Sequence, residues 1–361
     1  TGGSVFSVSI SADGEYITAG SDDYRVYLFD KDNGTPLWSY STGSSIVASV
    51  DISADGEYAV AAAGTNKVYL FGTDSSTPLW TYTTGAEVRS VSISANGEYI
   101  AAGSFDDKVY LFDKDNSTPL WSYLIETDST SISFSADGEY IAVGTWAGKV
   151  YLFDKDANDP LWSYQAEDIV RSVAISADGE YIAAGSADNK VYLFYKDGST
   201  PLWSHTTGND VHSVSISADG EYVVAGSDKI YLFDKDSSTP LWSYETGSAV
   251  WAVSISADGE YIAAGSDDYK VYLFDKDSST PLWSYTTDDA VLSVAISAAG
   301  EYIVAGSDDN KVYLFDKDSS TPLWSHATGG SVYSVSISAD GEYITAGSYN
   351  NDNKVYLFDK D

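Results

Sequence analysis

The tetrapeptide Gly-Glu-Tyr-(Ile/Val/Ala) returns nine times in this chain, with its tyrosine at Tyr16, Tyr58, Tyr99, Tyr140, Tyr181, Tyr222, Tyr261, Tyr302 and Tyr343. A period of about 41 residues, sustained along almost the whole chain, means one supersecondary unit repeated in series, each burying its faces against its neighbours. A second marker, Pro-Leu-Trp, follows in eight of the nine units, from Pro36 to Pro322. No stretch of biased composition interrupts the series, so residues 1–361 read as one domain.

Each unit reads as four short strands. Ser7 to Ser11 alternates small polar and aliphatic residues with period two, and Ala12-Asp13-Gly14 supplies the local hydrogen bond and positive φ of a tight turn. Glu15–Ser21 and Arg25–Asp30 are predicted as the second and third strands. Leu37–Tyr40 is the fourth, after a turn over residues 30–36. No segment carries a helical period, so the chain is all-β. Side-chain size rises through the unit, from Ser and Val to Ala and Gly, then Tyr-Leu-Phe, then Leu-Trp. Sheets radiating from an axis leave gaps that are narrow inside and wide outside, and this gradient fills such gaps. The prediction is a closed nine-bladed β-propeller of four-stranded antiparallel blades, with the repeated Tyr and Trp as inter-blade core.

Val26-Tyr27-Leu28-Phe29-Asp30 followed by Pro36-Leu37-Trp38 resembles the tryptophan-bearing repeat of quinoprotein-like (PQQ-like) propellers. Ser11-Ala12-Asp13-Gly14-Glu15-Tyr16 with Ala19-Gly20-Ser21 resembles the first half of WD-repeat blades, although the Trp-Asp dipeptide of those repeats is missing. The resemblance spans the chain and implies architecture, since both families include scaffolds, receptors and enzymes. Quinoprotein enzymes hold their quinone and calcium through further residues, including a vicinal cysteine pair. This chain has no cysteine, which argues against that activity and leaves no cofactor expected.

Lysine and arginine number 19 against 54 Asp and Glu, a formal charge of −35. Such a surface repels nucleic-acid phosphates and anionic membranes, and no apolar stretch is long enough to insert in a bilayer. The charge suits an extracellular or cell-surface setting. The chain has no Met, and Thr1 reads as a processed or engineered start.

Because the units are so alike, the positions that differ between them stand out. The residue opening the first strand reads Phe6, Ala48, Arg89, Thr130, Arg171, His212, Trp251, Leu292 and Tyr333. The second variable segment is the loop between strands two and three, with Tyr24, Phe105–Asp107, Trp146, Asn189, Tyr269 and the longer 349–353. In a four-stranded meander both segments emerge at the same end. Aromatics and arginine dominate binding hot spots, so Phe6, Arg89, Thr130, Arg171, His212, Trp251, Leu292, Tyr333, Trp146 and Phe105 are the candidate ligand-binding residues. They would ring the central channel and receive a peptide, a glycan, another protein or an anionic group.

The opposite face repeats Asp-Lys-Asp, as at Asp30 and Asp32 or Asp113 and Asp115. Alternate carboxylates can hold calcium, but the glycine and distal glutamate of a dedicated loop are missing, so no metal is expected. Asn33-Gly34-Thr35 and Asn116-Ser117-Thr118 are glycosylation sequons of low specificity. His205 and His326 take the place of the repeated Tyr after Pro-Leu-Trp-Ser, which leaves His212 as the one histidine on the variable face and no nucleophile–base pair. The ninth unit ends after its third strand, so the apolar strand Val355 to Phe358 would stand as an open edge. Either the chain stops short of its last strand, or another chain supplies it and the protein self-assembles there. The resulting expectation is a non-enzymatic binding scaffold, with a surface-layer or filament subunit as the alternative and a quinoprotein-type enzyme as a remote one.

Overall fold

Three residues in each innermost strand must face the same inter-blade core, and their spacing forces the backbone to comply. Val88, Val91 and Ile93 are all buried, yet residues three apart lie on opposite faces of a regular strand. A β-bulge reconciles them. Val88 pairs with Ser104 and Ser90 with Gly103, which leaves Arg89 unpaired between them. The same register shift recurs at Phe6, Ala48, Thr130, Arg171, Trp251, Leu292 and Tyr333. In the sixth blade His212 donates its N–H to Gly226 O, opposite which Ser213 also pairs.

The computed structural model describes residues 1–349 and 352–361. Among these, nine antiparallel sheets form: eight have four strands in sequential order and the ninth has three. The third blade is representative, with strands Val88–Ile93, Tyr99–Ser104, Lys108–Asp113 and Trp121–Leu124 from the axis outward. The predicted boundaries hold to within one or two residues. In the first blade strand two begins at Tyr16, and strand four runs Trp38–Ser41 because the leucine before Trp38 turns outward. No helix is long and apolar enough to cross a membrane among the described residues.

Strands two and three are covered on both faces, and the size gradient is what lets neighbouring blades close on them. A Cβ on Gly144 would stand 2.8 Å from Val170 Cγ1 of the next blade, so the near-axis position has room for no more than the methyl group that Ala62 places there in blade two. Farther out, Trp80 packs at 5.1 Å on Phe112 of the following blade and its indole N–H reaches Lys114 O at 2.8 Å. The tyrosine of each Gly-Glu-Tyr lies over the turn glycine of the next blade, as Tyr58 does over Gly97, where φ is +71°. Lysine of the Asp-Lys-Asp turn then covers that tyrosine: Lys114 sits 5.9 Å from the Tyr58 ring and 3.6 Å from Glu98. The first aspartate of each turn is also occupied locally, since Asp113 Oδ1 accepts the Asp115 N–H at 2.8 Å.

The ring closes between blades nine and one. Ala339 N–H donates to Ala12 O at 3.0 Å, the bond that also joins Ala12 to Ala54 and Ala298 to Ala339. Lys31 covers Tyr343 as its counterparts do elsewhere. At the constant end the channel is a cavity of about 620 Å³ walled by the last apolar residue of each innermost strand, such as Ile10, Ile93 and Phe134.

Candidate functional site

At the other end of the channel the nine bulges open. A bulged residue is released from the ladder and its side chain is re-aimed, so each blade presents one residue at the channel mouth that the sheet does not use. The loop between strands two and three stands directly behind it. Its first residue faces the bulge of the same blade: the Arg89 guanidinium lies 5.1 Å from the Phe105 ring. Its last residue lies on the side of the outermost strand. Tyr24, Asn189 and Tyr269 occupy that corner with left-handed φ of 68°, 66° and 69°, and their carbonyls accept the N–H of Thr42, Thr207 and Thr287. These three therefore belong to the outer rim and not to the channel mouth. Asn350 and Asn351, in the long loop of the ninth blade, lie outside the described residues.

The candidate residues separate into clusters and do not form one continuous ring. Arg89, Phe105, Thr130, Trp146 and Arg171 come together from blades three, four and five around a cleft of about 450 Å³. Trp146 is 55% exposed there and Phe105 39%, while Thr130 Oγ1 is held by Val170 O. Next along the ring, His212 packs on Trp251 with ring centroids 4.4 Å apart. Across the channel, Phe6 and Tyr333 pack edge-on against Tyr349 at 5.4 and 5.2 Å, beside a cavity of about 410 Å³. Leu292 is half-buried and joins none of these ring contacts, and Ala48 leaves a bare sector at blade two.

The electrostatics correct one expectation. Arg89 and Arg171 are not free cations: Arg89 Nε is 3.0 Å from Glu87 Oε1, and Arg171 Nη2 is 2.6 Å from Asp210 Oδ2. Asp128 stands close by, its carboxyl raised by burial first and by the charge of Asp107 next, with Arg89 opposing. Three carboxylates around two guanidiniums make the cleft a poor receiver for an anion. Each guanidinium keeps N–H groups beyond those facing its carboxylate, and these suit neutral acceptors such as carbonyls and hydroxyls. His212 has its pKa lowered from 6.5, by burial first and by the charge of Arg171 second, with Asp210 opposing.

Glu87, Asp128 and Asp210 stand outside the expected set, although the sequence carries the signal. Each precedes its bulge residue by two, in a column that reads Ser4, Ile46, Glu87, Asp128, Ile169, Asp210, Ala249, Ala290 and Ser331 and so also varies, with five residue types against the eight of the bulge. The aspartates of the two–three loop, by contrast, are structural. Asp106 accepts the Tyr110 hydroxyl at 2.5 Å and the Gly85 N–H at 2.7 Å, and Asp188, Asp268 and Asp309 repeat the arrangement. Asp51 is a further departure. It stands in the channel wall where other blades carry Ser or Ala, and Ser9, Ser92, Ile52 and Ile93 all donate to it. Burial pushes its carboxyl above the usual range. His205 and His326 pack on Tyr231 and Phe233 and on Tyr356 and Phe358, as replacements for the repeated tyrosine.

Comparison with known proteins places these features in context. The family profile described as the IFT122 first β-propeller matches residues 4–275, and the profile described as outer membrane protein assembly factor BamB matches residues 228–360. No curated protein matches the chain. Among solved structures, the computationally designed Ika8 protein superposes with a TM-score of 0.71 at 13% identity, covering 99% of this chain and 97% of its own. Sqt1 from Chaetomium thermophilum, bound to the N-terminus of the ribosomal protein L10, gives 0.70 at 17% identity with the same coverage. At these identities the likeness is one of fold.

Proposed function

From the premise that this chain belongs to the IFT122 first β-propeller family, we propose that it is a non-enzymatic binding scaffold that holds an extended peptide across the cleft of blades three to five. The observation that carries this reading is the bulge column. Nine near-identical blades spend the one side chain freed from the ladder on nine nearly all different residues, several of them large and exposed. Trp146 and Phe105 offer apolar seats for side chains, and the remaining N–H groups of Arg89 and Arg171 suit the carbonyls of a peptide backbone. A peptide partner is favoured over an anionic one because Glu87, Asp128 and Asp210 offset the two arginines. It also agrees with Sqt1, a relative in fold alone, which holds the N-terminus of a protein. Among the described residues of this face no nucleophile–base pair forms, and His212 is engaged with Trp251. The charge of −35 fits an extracellular or cell-surface setting.

The test is a peptide and glycan array probed with the purified chain, followed by titration of each hit. Peptide hits should lose at least about tenfold in affinity when Arg89→Ala and Trp146→Ala are combined, with thermal stability retained. Hits confined to glycans, or peptide hits indifferent to both substitutions, would overturn the reading.

A further inference from the structure

Both sides of the channel mouth carry aromatic rings and carboxylates, but one side alone brings its own cations. In the cleft of blades three to five, Arg89 and Arg171 answer Glu87 and Asp210. Arg89 also lies over the Phe105 ring at 5.1 Å, so the chain itself shows what a ring at the start of the two–three loop takes. Across the channel, blade nine has such a ring in Tyr349, and its bulge residue is Tyr333 where blade three has the arginine.

Three rings from two columns of the repeat meet there. Phe6 and Tyr333 are bulge residues of neighbouring blades, and Tyr349 opens the loop of blade nine with its N–H on Ser331 O at 2.8 Å. Tyr349 stands between the other two, crossing Phe6 at 62° and Tyr333 at 71°. Stacked rings would close on one another, whereas rings that cross this steeply wall a hollow. The hollow is the cavity of about 410 Å³, with Val5 as its fourth lining residue. Four residues line it, so it seats one chemical group and not an extended segment.

The carboxylates beside it are unanswered. Asp308 opens the corresponding loop of blade eight, its N–H on Ala290 O at 2.8 Å, and accepts the Ser331 hydroxyl through one oxygen. The Tyr333 hydroxyl is raised by burial first and by the charge of Asp308 next, which sets that carboxylate within reach of the ring. Asp22 opens the loop of blade one in the same way, one place beyond Phe6, with its N–H on Ser4 O at 2.9 Å. Lys311, which follows the loop of Asp308, is engaged with Asp288 and Asp309. Among the described residues neither Asp308 nor Asp22 has an ion-pair partner.

We infer that this hollow binds a small free quaternary ammonium compound of the choline type. The trimethylammonium sits against the faces of Tyr333, Tyr349 and Phe6, where the ring quadrupoles attract a cation, and Asp308 supplies the opposite charge. A quaternary ammonium carries no N–H, so carbon walls leave none of its donors unpaired, whereas a primary ammonium would bring three. This pocket shares no residue with the peptide cleft proposed above.

The experiment titrates choline chloride into the full chain by calorimetry, with saturation-transfer NMR reporting contact at the N-methyl protons. One-to-one binding is expected, at least about tenfold tighter than for ethanolamine or for the uncharged alcohol with tert-butyl in place of trimethylammonium. Tyr333→Leu should weaken choline at least about tenfold, and Tyr333→Phe, which keeps the ring, by no more than about threefold. Asp308→Asn should weaken it by about threefold or more. Tyr333 is 50% exposed, so melting temperatures should hold. The Arg89→Ala, Trp146→Ala protein should bind choline unchanged, which separates this pocket from the cleft. Absence of binding, or equal binding of ethanolamine or of the uncharged alcohol, would refute the assignment. Uptake that Tyr333→Leu leaves unchanged would show diffuse counterion attraction to the charge of −35 and refute it equally. Co-sedimentation with phosphatidylcholine vesicles, competed by choline, would place the group on a lipid headgroup and overturn the assignment to a free compound.

Discussion

Phe112→Ala and Phe29→Ala remove the same ring from the same position of two repeats, and the surroundings make their costs unequal. Phe112 is fully buried, with Trp80 and Tyr82 of the preceding blade each 5.1 Å away. Phe29 receives no ring from a preceding blade among the described residues and is half-buried. Truncating a buried phenylalanine costs about 3–5 kcal/mol, through lost transfer energy and the cavity left behind. Two aromatic pairs at roughly 0.5–1.5 kcal/mol each account for about 1–3 kcal/mol of the loss at Phe112. Neither pair exists at Phe29, and water can fill the space its ring leaves. Phe112→Ala should therefore lose about 3–5 kcal/mol and Phe29→Ala about 1–2 kcal/mol. Equilibrium urea unfolding, followed by tryptophan fluorescence and by circular dichroism on each variant, measures the difference. Losses equal to within about 0.5 kcal/mol would mean that outer-strand rings contribute nothing to the blade interface, and the reasoning would fail.

Two further outcomes concern titrating groups. Histidine NMR should place the His212 midpoint below 6.5, and Trp251→Ala, by admitting water to the ring, should move it back up; a midpoint at or above 6.5 in the parent chain contradicts the burial argument. Asp51 has its carboxyl raised above 3.8 in the folded chain, so the fold binds its proton more tightly than the unfolded state does, and stability is lost as pH climbs through that interval. Asp51→Ser, which installs the residue found at Ser9 and Ser92, should gain relative to the parent between pH 4 and pH 8 in denaturant titrations; a relative loss over that range would reverse the sign and the explanation.

Much of the architecture was legible because nine repeats report the same local chemistry nine times. The tyrosine period counted the blades, and the Ala-Asp-Gly turns and the rising side-chain size predicted radiating sheets and their closure. Even the bulge was present in outline, since Val88, Val91 and Ile93 cannot share a face without one, and the same Val, Val, Ile spacing occurs in eight of the nine units, Ser129 opening the other. That signal is faint because alternation marks a strand, whereas a bulge shows only where the alternation breaks. Likewise Glu87, Asp128 and Asp210 formed a variable column two residues upstream, hidden behind the larger side chains of the bulge.

The sequence by itself determined the blade, its number of copies and the end of the ring at which the copies differ, because these depend on spacings within one unit. Only the tertiary structure decided which variable residues meet. Arg89 and Arg171 lie in different blades and each finds a carboxylate, Glu87 two residues back in its own repeat and Asp210 in the crossing into the next blade, so the second contact is one that no single repeat contains. Tyr24 and Tyr269 vary in the same loop as Phe105 and Trp146, yet a left-handed corner turns them to the rim. Phe29 is of the same kind: the residue is identical to its counterparts, and what sets it apart is that the neighbouring sheet has three strands among the described residues. Repetition fixes what each unit is, and closure of the ring fixes what each copy faces.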